Sequence, residues 1–168
     1  MRDMVFAILA STPDKLRQEA REMPLSAIKT RPAQDKWSVQ EILAHIEDVE
    51  IPGFRERVEM ILKEKNPFLA AFDQEARAIE KGYQRLDPWK SLDSFTRKRR
   101  ENLKWLRQIK PAQWRRTGTH HTVGKMSAGE YLYEWAFHDL GHLRQIMEAK
   151  RYLLYPLMGN MRHYYKLS

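Results

Sequence analysis

Residues 38–49 read SVQEILAHIEDV, and this stretch decides the fold class. Ser38 and Glu41 have the Ser-x-x-Glu spacing of a capping box, in which each side chain bonds a free backbone amide of the first helical turn. Apolar side chains follow with helical spacing, as at Ile42 and Ile46. The stretch therefore predicts the start of an amphipathic helix.

The helix that begins at Ser38 is predicted to be long. Its apolar pattern continues to Asn66-Pro67, which ends it. Pro52-Gly53 lies inside the pattern and predicts a bend or a break, because proline has no amide proton for the helical hydrogen bond. A second capping box, from Ser127 to Glu130, opens another helix that we expect to continue to about Lys150.

Further helix starts come from capping residues. The sequence Ser11-Thr12-Pro13-Asp14 predicts a helix to about Glu22, preceded by a short apolar segment over residues 3–10. Asp73 is expected to cap a minor helix ending near Lys81. Either Asp87-Pro88 or Ser91 begins a main helix that ends before Pro111.

The remaining segments show no strand-type alternation. Residues 25–36 are predicted to be a connector, residues 113–126 a loop, and residues 151–168 a tail packed along the outside. These elements predict an all-α protein with a single domain over residues 1–168, built as a four-helix bundle with short accessory helices.

Composition limits the possible functions. The chain has 168 residues, of which 42% are hydrophobic and 31% charged, typical of one globular domain. It contains no Cys, so disulfides, thiolate metal sites and Cys nucleophiles are excluded. No apolar run approaches the roughly 20 residues that cross a bilayer, and no signal peptide is evident. We therefore expect a cytoplasmic protein without a membrane partner.

Three of the six His lie on the two capping-box helices. His138 and His142 are four residues apart, which places both rings on one helix face. His45 lies two turns into the other helix, on its apolar face. Two facing helices could therefore bring three imidazoles to one point inside the bundle, where neutral imidazole would bind Zn, Ni, Fe or Cu. Hydrogen-bonded core histidines are the alternative interpretation.

Two stretches resemble the signatures of the DinB-like superfamily, which includes DinB and YfiT-like metalloenzymes. Residues 36–50 resemble its Trp-Ser-x-x-Glu helix start leading to a ligand His, and residues 138–146 resemble its His-x-x-x-His signature. Residues 71–73 and 114–124 resemble its linkers. The resemblance implies an up-down-down-up four-helix bundle, often a homodimer, with one divalent ion (Zn, Ni or Fe) on His45, His138 and His142.

Three neutral ligands would leave coordination positions open, as in catalytic sites. The resemblance implies a metal-dependent enzyme acting on a small molecule, either a hydrolase or an S-transferase with a low-molecular-weight thiol as co-substrate. It does not choose between these reactions. A non-catalytic bundle with a vestigial or metal-sensing site is the alternative.

Several other side chains are candidates for the site. Glu134 lies one turn before His138 and is the expected general base. The carboxylates Glu47, Asp48 and Asp139 are rivals that could instead orient ligand imidazoles. We assign Asp139, His120 and His121 to the surroundings of the ligands or to the substrate entrance, with exposed loop polarity as the alternative for the two His.

The net charge of +8 raises a nucleic-acid interpretation. Nine basic residues fall between Arg97 and Arg116 against the single Glu101. Such a segment could contact phosphate or attract an anionic co-substrate. No recognition-helix motif accompanies it, so a solvated helix face is the favoured interpretation.

Overall fold

The computed structural model describes residues 1–167, most of which are helical. The bundle consists of α1 (Arg2–Arg21), α3 (Val39–Val49) continued by a π-helix (Glu50–Arg55) and α4 (Glu56–Lys63), α6 (Pro88–Leu106) and α7 (Ala128–Leu154). The connections contain α2 (Leu25–Lys29), α5 (Gln74–Lys81) and 3-10 turns at Tyr83–Arg85 and Gln113–Arg115. A 3-10 segment, Tyr155–Tyr164, follows α7.

Each of the helices α1 and α3 packs against both α6 and α7. One hydrophobic cluster joins Leu9 of α1, Val49 and Phe54, Leu103 and Leu106 of α6, and Leu132 and Trp135 of α7. A second joins Leu16 and Ala20, Leu43 and Ile46, Leu92 and Phe95, and Leu143 and Ile146. From the first cluster to the second, residue numbers rise in α1 and α7 but fall in α3 and α6. This is the predicted up-down-down-up order.

Both predicted capping boxes are present. The hydroxyl of Ser38 accepts from the Glu41 amide at 3.2 Å, and the Glu41 carboxylate accepts from the Ser38 amide at 2.9 Å. Ser127 and Glu130 repeat the arrangement at the start of α7. Asp87 caps α6 as expected, accepting from two backbone amides of its first turn.

The predicted start of the first helix is wrong. Helix α1 begins at Arg2 and continues through Pro13 without a break. Proline has no amide proton, so the carbonyl of Leu9 loses its helical partner. The guanidinium of Arg99 donates to that carbonyl at 3.0 Å and replaces the missing bond. A contact from α6 therefore keeps α1 continuous.

Pro52 produces the expected irregularity, in the form of a π-helix. The wider turn begins at Glu50, which is buried together with Gly53 and Phe54. Single π-helical turns often occur at functional sites because they redirect side chains. Here the turn directs one carboxylate and one aromatic ring into the bundle beside α7.

The loop predicted over residues 113–126 contains two strands, which corrects that prediction. β2 (Thr117–His120) pairs antiparallel with β3 (Gly124–Ser127), and β1 (Phe68–Leu69) pairs parallel with β2. Strands of two to four residues are too short to show alternation. Gly124 ends the turn between β2 and β3 with a φ of 79°, a conformation that glycine adopts without strain.

Smaller differences occur between the bundle helices. The predicted connector contains the five-residue helix α2, and α6 ends at Leu106, before Ile109. No helix within residues 1–167 is long and apolar enough to cross a membrane.

Candidate metal centre

The structure brings His45, His138 and His142 together between α3 and α7. The Nε2 atom of His138 lies 3.2 Å from Nε2 of His45 and 3.0 Å from Nε2 of His142. His45 and His142 are buried, and His138 is half-buried. Three ring nitrogens from two helices therefore converge on one point.

All three rings are neutral at physiological pH. Burial and the neighbouring His142 lower the pKa of His45 to about 3. Burial is also the main cause that lowers the pKa of His138 and of His142. Neutral imidazole is the form that binds a metal, so these ligands need not lose protons first.

The hydrogen bond of His142 defines its tautomer. Its Nδ1 lies 2.8 Å from Oε1 of Gln145, an oxygen that only accepts, so Nδ1 carries the proton. Nε2 of His142 therefore presents a lone pair to His138. Nitrogen atoms bound 2.0–2.1 Å from one tetrahedral Zn²⁺ lie about 3.3–3.4 Å apart, close to the spacing of these rings.

The other two ligand rings differ from His142 at Nδ1. Nδ1 of His45 and Nδ1 of His138 have no hydrogen-bond partner in the described chain. With a cation on Nε2, each of these Nδ1 atoms would carry the ring proton, so it is the convergence of the three Nε2 atoms that indicates a metal. A single divalent cation at that point would satisfy all three lone pairs, so the donor set fits such an ion.

Aromatic rings enclose the imidazoles. The ring of Trp37 lies 4.9 Å from that of His45, and the ring of Phe54 lies 5.0 Å from that of His138, measured between centroids. Phe54 also stacks on Trp135 at 4.9 Å. These contacts restrict the orientation of the His45 and His138 rings, whose Nδ1 atoms have no hydrogen-bond partner in the described chain.

A buried ionic network lies beside the centre. The guanidinium of Arg99 bonds both carboxylate oxygens of Glu50 and both of Asp139. Burial raises the pKa of Glu50, although Arg99 opposes the shift. Asn102 and Trp135 also donate to Glu50, at 3.1 Å each. The network links α1, the π-helix, α6 and α7.

This network corrects two predictions. Asp139 is completely buried, and its hydrogen bonds go to Arg99 rather than to a ligand imidazole. Arg99 is 1% exposed and thus unavailable to nucleic-acid phosphate. Arg116 is also engaged, because it donates to the carbonyls of Ile61 and Glu64. The basic segment is therefore not uniformly a solvated face.

The other carboxylate rivals also have partners. Asp48 accepts from Arg77 at 2.7 Å and from the hydroxyl of Tyr83 at 2.8 Å. Glu47 accepts from Ser94 at 2.7 Å and pairs with Lys98 at the same distance. Both carboxylates hold α3 against neighbouring elements.

Glu134, in contrast, has a free carboxylate. It forms no hydrogen bond or ion pair with residues 1–167, and its side chain reaches solvent. The surrounding protein removes part of its hydration and raises its pKa, while the positive charge of Arg57 opposes the shift. Glu134 therefore stays the candidate general base, on its raised pKa and its position one turn before His138.

The two loop His occupy different environments. His120 ends β2 and is half-buried, with its Nε2 3.5 Å from Nη1 of Arg57. His121 is exposed, and its ring contacts Phe68 edge to face. Neither belongs to the three-His cluster.

A cavity of about 620 Å³ opens beside the centre. His142 and Gln145 form part of its wall, together with Trp37, Lys36, Glu75 and Arg144. Its charges are mixed, with cationic and acidic side chains on the rim. The cavity is large enough for a small-molecule ligand next to an imidazole of the cluster.

A family model described as the DinB superfamily matches residues 8–146. The chain belongs to the DinB superfamily. A solved structure of YfiT from Bacillus subtilis is similar, with a TM-score of 0.83 and 24% sequence identity. The match covers 90% of this chain and 87% of that one. YfiT is described as a probable metal-dependent hydrolase with an unusual four-helix bundle topology.

No curated protein matches this DinB-superfamily chain. The YfiT match shows that the two chains share the bundle fold. The three-His group inside that fold suggests a divalent metal.

Sequence reasoning overlooked several residues of the site. Gln145, three residues after His142, could have been found from helical spacing alone. Arg57 and the hydroxyl of Tyr131 had no such signal, because only the fold brings α4 close to α7. Phe54 follows the irregular turn at Pro52, and its direction could not be predicted from regular helical spacing.

Proposed function

We propose that this DinB-superfamily chain is a metal-dependent hydrolase of a small molecule. The observation that carries the proposal is the convergence of the Nε2 atoms of His45, His138 and His142 within 4.8 Å. These residues would hold one divalent transition metal, with Zn, Ni and Fe as candidates. When bound, such an ion would polarise a substrate carbonyl and lower the pKa of water.

The protein's own groups define the rest of the reaction. A carboxylate oxygen of Glu134 would take the proton of the attacking water and return it to the leaving oxygen or nitrogen as the ester or amide bond breaks, since this carboxylate has no other partner within residues 1–167 and lies one turn from His138. Gln145 holds His142 in the tautomer with its Nε2 lone pair available. The cavity lies beside His142, and the rings of Trp37 and Phe54 pack against the imidazoles of His45 and His138.

The test begins with the metal content of untagged protein. We expect close to one equivalent of a transition metal, which His138→Ala loses. The matched control is His163→Ala, because His163 is exposed in the tail and outside the cluster. Absence of metal after incubation with Zn, Ni and Fe, or equal loss in both variants, would overturn the proposal.

Activity is then measured on ester and amide substrates, with and without a low-molecular-weight thiol. We expect hydrolysis without thiol, and a loss of about 100-fold or more in kcat for Glu134→Gln with its metal content unchanged. If turnover occurs only with the thiol, the reaction at this centre is S-transfer and not hydrolysis.

A further inference from the structure

Arg57 on α4 has a guanidinium that is only partly satisfied. Its Nη2 donates to the carbonyl of Ala70 at 2.6 Å, which orients the group. Its Nη1 approaches the hydroxyl of Tyr131 and Nε2 of His120, both at 3.5 Å. These separations exceed the 2.7–3.2 Å or so of ordinary hydrogen bonds. Nη1 therefore lacks a close acceptor.

His120 cannot serve as that acceptor. The amide of Thr122 donates to Nδ1 of His120 at 3.2 Å, so Nδ1 carries the lone pair. Burial, Arg57 and His121 lower the pKa of His120, and the ring is neutral with its proton on Nε2. The Nε2–H of His120 and the Nη1–H of Arg57 are thus two donors that face the same space.

Tyr131 adds a third donor. Burial raises the pKa of its hydroxyl, with Arg57 opposing the shift, so the hydroxyl keeps its proton. No residue within the described chain accepts that proton. The hydroxyl of Tyr131 and Nε2 of His120 thus each lie 3.5 Å from the charged Nη1 of Arg57, and none of these three donors has a close acceptor in the described chain. Such an arrangement calls for an oxyanion.

We propose that Arg57, His120 and Tyr131 form a subsite for a carboxylate group of the substrate. Tyr131, Glu134 and His138 are spaced i, i+3 and i+7, so they follow one face of α7. The subsite lies about 10 Å along the helix from His138, at 1.5 Å per residue. This proposal rests on the proposed function in one respect, because the carboxylate in the subsite is taken to belong to the molecule that reacts at the three-His centre.

Glu134 decides which oxyanion fits. Glu134 lies between Tyr131 and His138 in the sequence of α7, and the positive charge of Arg57 acts on its carboxylate. A second negative charge near Glu134 is unfavourable, so a singly charged carboxylate is preferred over a doubly charged phosphate. The substrate class is therefore a small carboxylic acid whose reactive group lies within about 10 Å of its carboxylate.

The experiment uses the full chain freed of metal by chelation, so that anions do not bind at the three-His centre. Propionate and inorganic phosphate are titrated separately, and the imidazole signals of His120 and the guanidinium signals are followed by NMR. We expect saturable shifts with propionate, and weaker binding of phosphate. Arg57→Gln lowers propionate affinity at least tenfold, and Tyr131→Phe lowers it several-fold.

Arg100→Gln is the matched control, because it removes the same charge from an exposed position on α6. Its propionate affinity stays unchanged. An equal loss of propionate affinity in the two Arg variants would overturn the subsite, as would His120 signals that do not shift. Tighter binding of phosphate than of propionate would overturn the carboxylate assignment. His120→Ala, expected to weaken binding, decides the question if Arg57→Gln fails to fold. Metal content is measured separately, so failure here is distinct from failure of the metal site.

Discussion

The guanidinium of Arg99 donates to the carbonyl of Leu9, the group that Pro13 leaves without a helical partner. The same side chain neutralises Glu50 and Asp139 on two other elements. Arg99 therefore replaces the missing hydrogen bond of α1, and its contacts connect four segments of the bundle close to the three-His cluster.

Replacing Arg99 should strongly destabilise the folded protein. Arg99→Met leaves two buried carboxylates without their cation and one helix carbonyl unpaired, so we expect unfolding free energy to fall by about 3–5 kcal/mol. Urea denaturation measures the change. Arg100→Met, at the adjacent exposed position, should alter stability little. Similar losses for the two variants would contradict the role given to the network.

The glutamine beside the metal centre should affect metal affinity more than folding. Gln145→Leu removes the acceptor of the His142 Nδ1 proton, and we expect metal binding to weaken about 10–100-fold. Competition with a chromogenic chelator measures the affinity. Gln108→Leu is the control, because Gln108 is exposed outside the bundle helices. An unchanged affinity in Gln145→Leu would show that the orientation of His142 does not depend on this bond.

The capping box of α3 predicts a pH dependence of stability. Burial opposes ionisation of Glu41, but Arg31, Ser38 and Gln84 together lower its pKa from 4.5 to about 2. A lowered pKa in the folded state stabilises the protein fully above the ordinary value of 4.5, and the contribution is lost as pH falls towards about 2.

The variant Glu41→Gln measures that contribution. We expect it to be less stable than the parent by about 2–3 kcal/mol near neutral pH, with the difference shrinking as the pH falls from 4.5 towards 2. Denaturation at a series of pH values provides the comparison. Glu130→Gln, in the exposed capping box of α7, should show a weaker pH dependence. A constant difference at all pH values would refute the electrostatic explanation.

An exposed apolar stripe on α7 suggests how two copies could associate. Tyr133, Phe137, Leu140, Met147 and Leu154 follow one another at intervals of three, four or seven residues, and each is at least 43% exposed. We expect a homodimer through this stripe, since a large apolar patch gains stability when it is covered.

Light scattering after size exclusion tests the dimer. Phe137→Glu places a charge in the centre of the stripe and should shift the protein to monomer. Phe68→Glu is the matched control, because Phe68 is 62% exposed but lies on β1. A parent protein that is already monomeric at high concentration would rule out this interface.

Local sequence patterns predicted much of the secondary structure. Ser38 with Glu41, and Ser127 with Glu130, marked the starts of α3 and α7, because a capping box depends on hydrogen bonds within three residues. Pro13 was misleading, since its effect on α1 depends on an arginine 86 positions later in the chain (99 − 13). The short strands escaped prediction because their pairing partners, not their composition, define them.

The sequence by itself determined that His138 and His142 share a helix face, because the helical repeat places residues four apart side by side. Only the tertiary structure decided that His45 meets them, that Asp139 turns to Arg99, and that Arg57 reaches β2 and α7. Backbone hydrogen bonds and caps act over three or four residues, so local sequence encodes them. Contacts between distant segments depend on how all the apolar faces pack together, which no short stretch of the chain specifies.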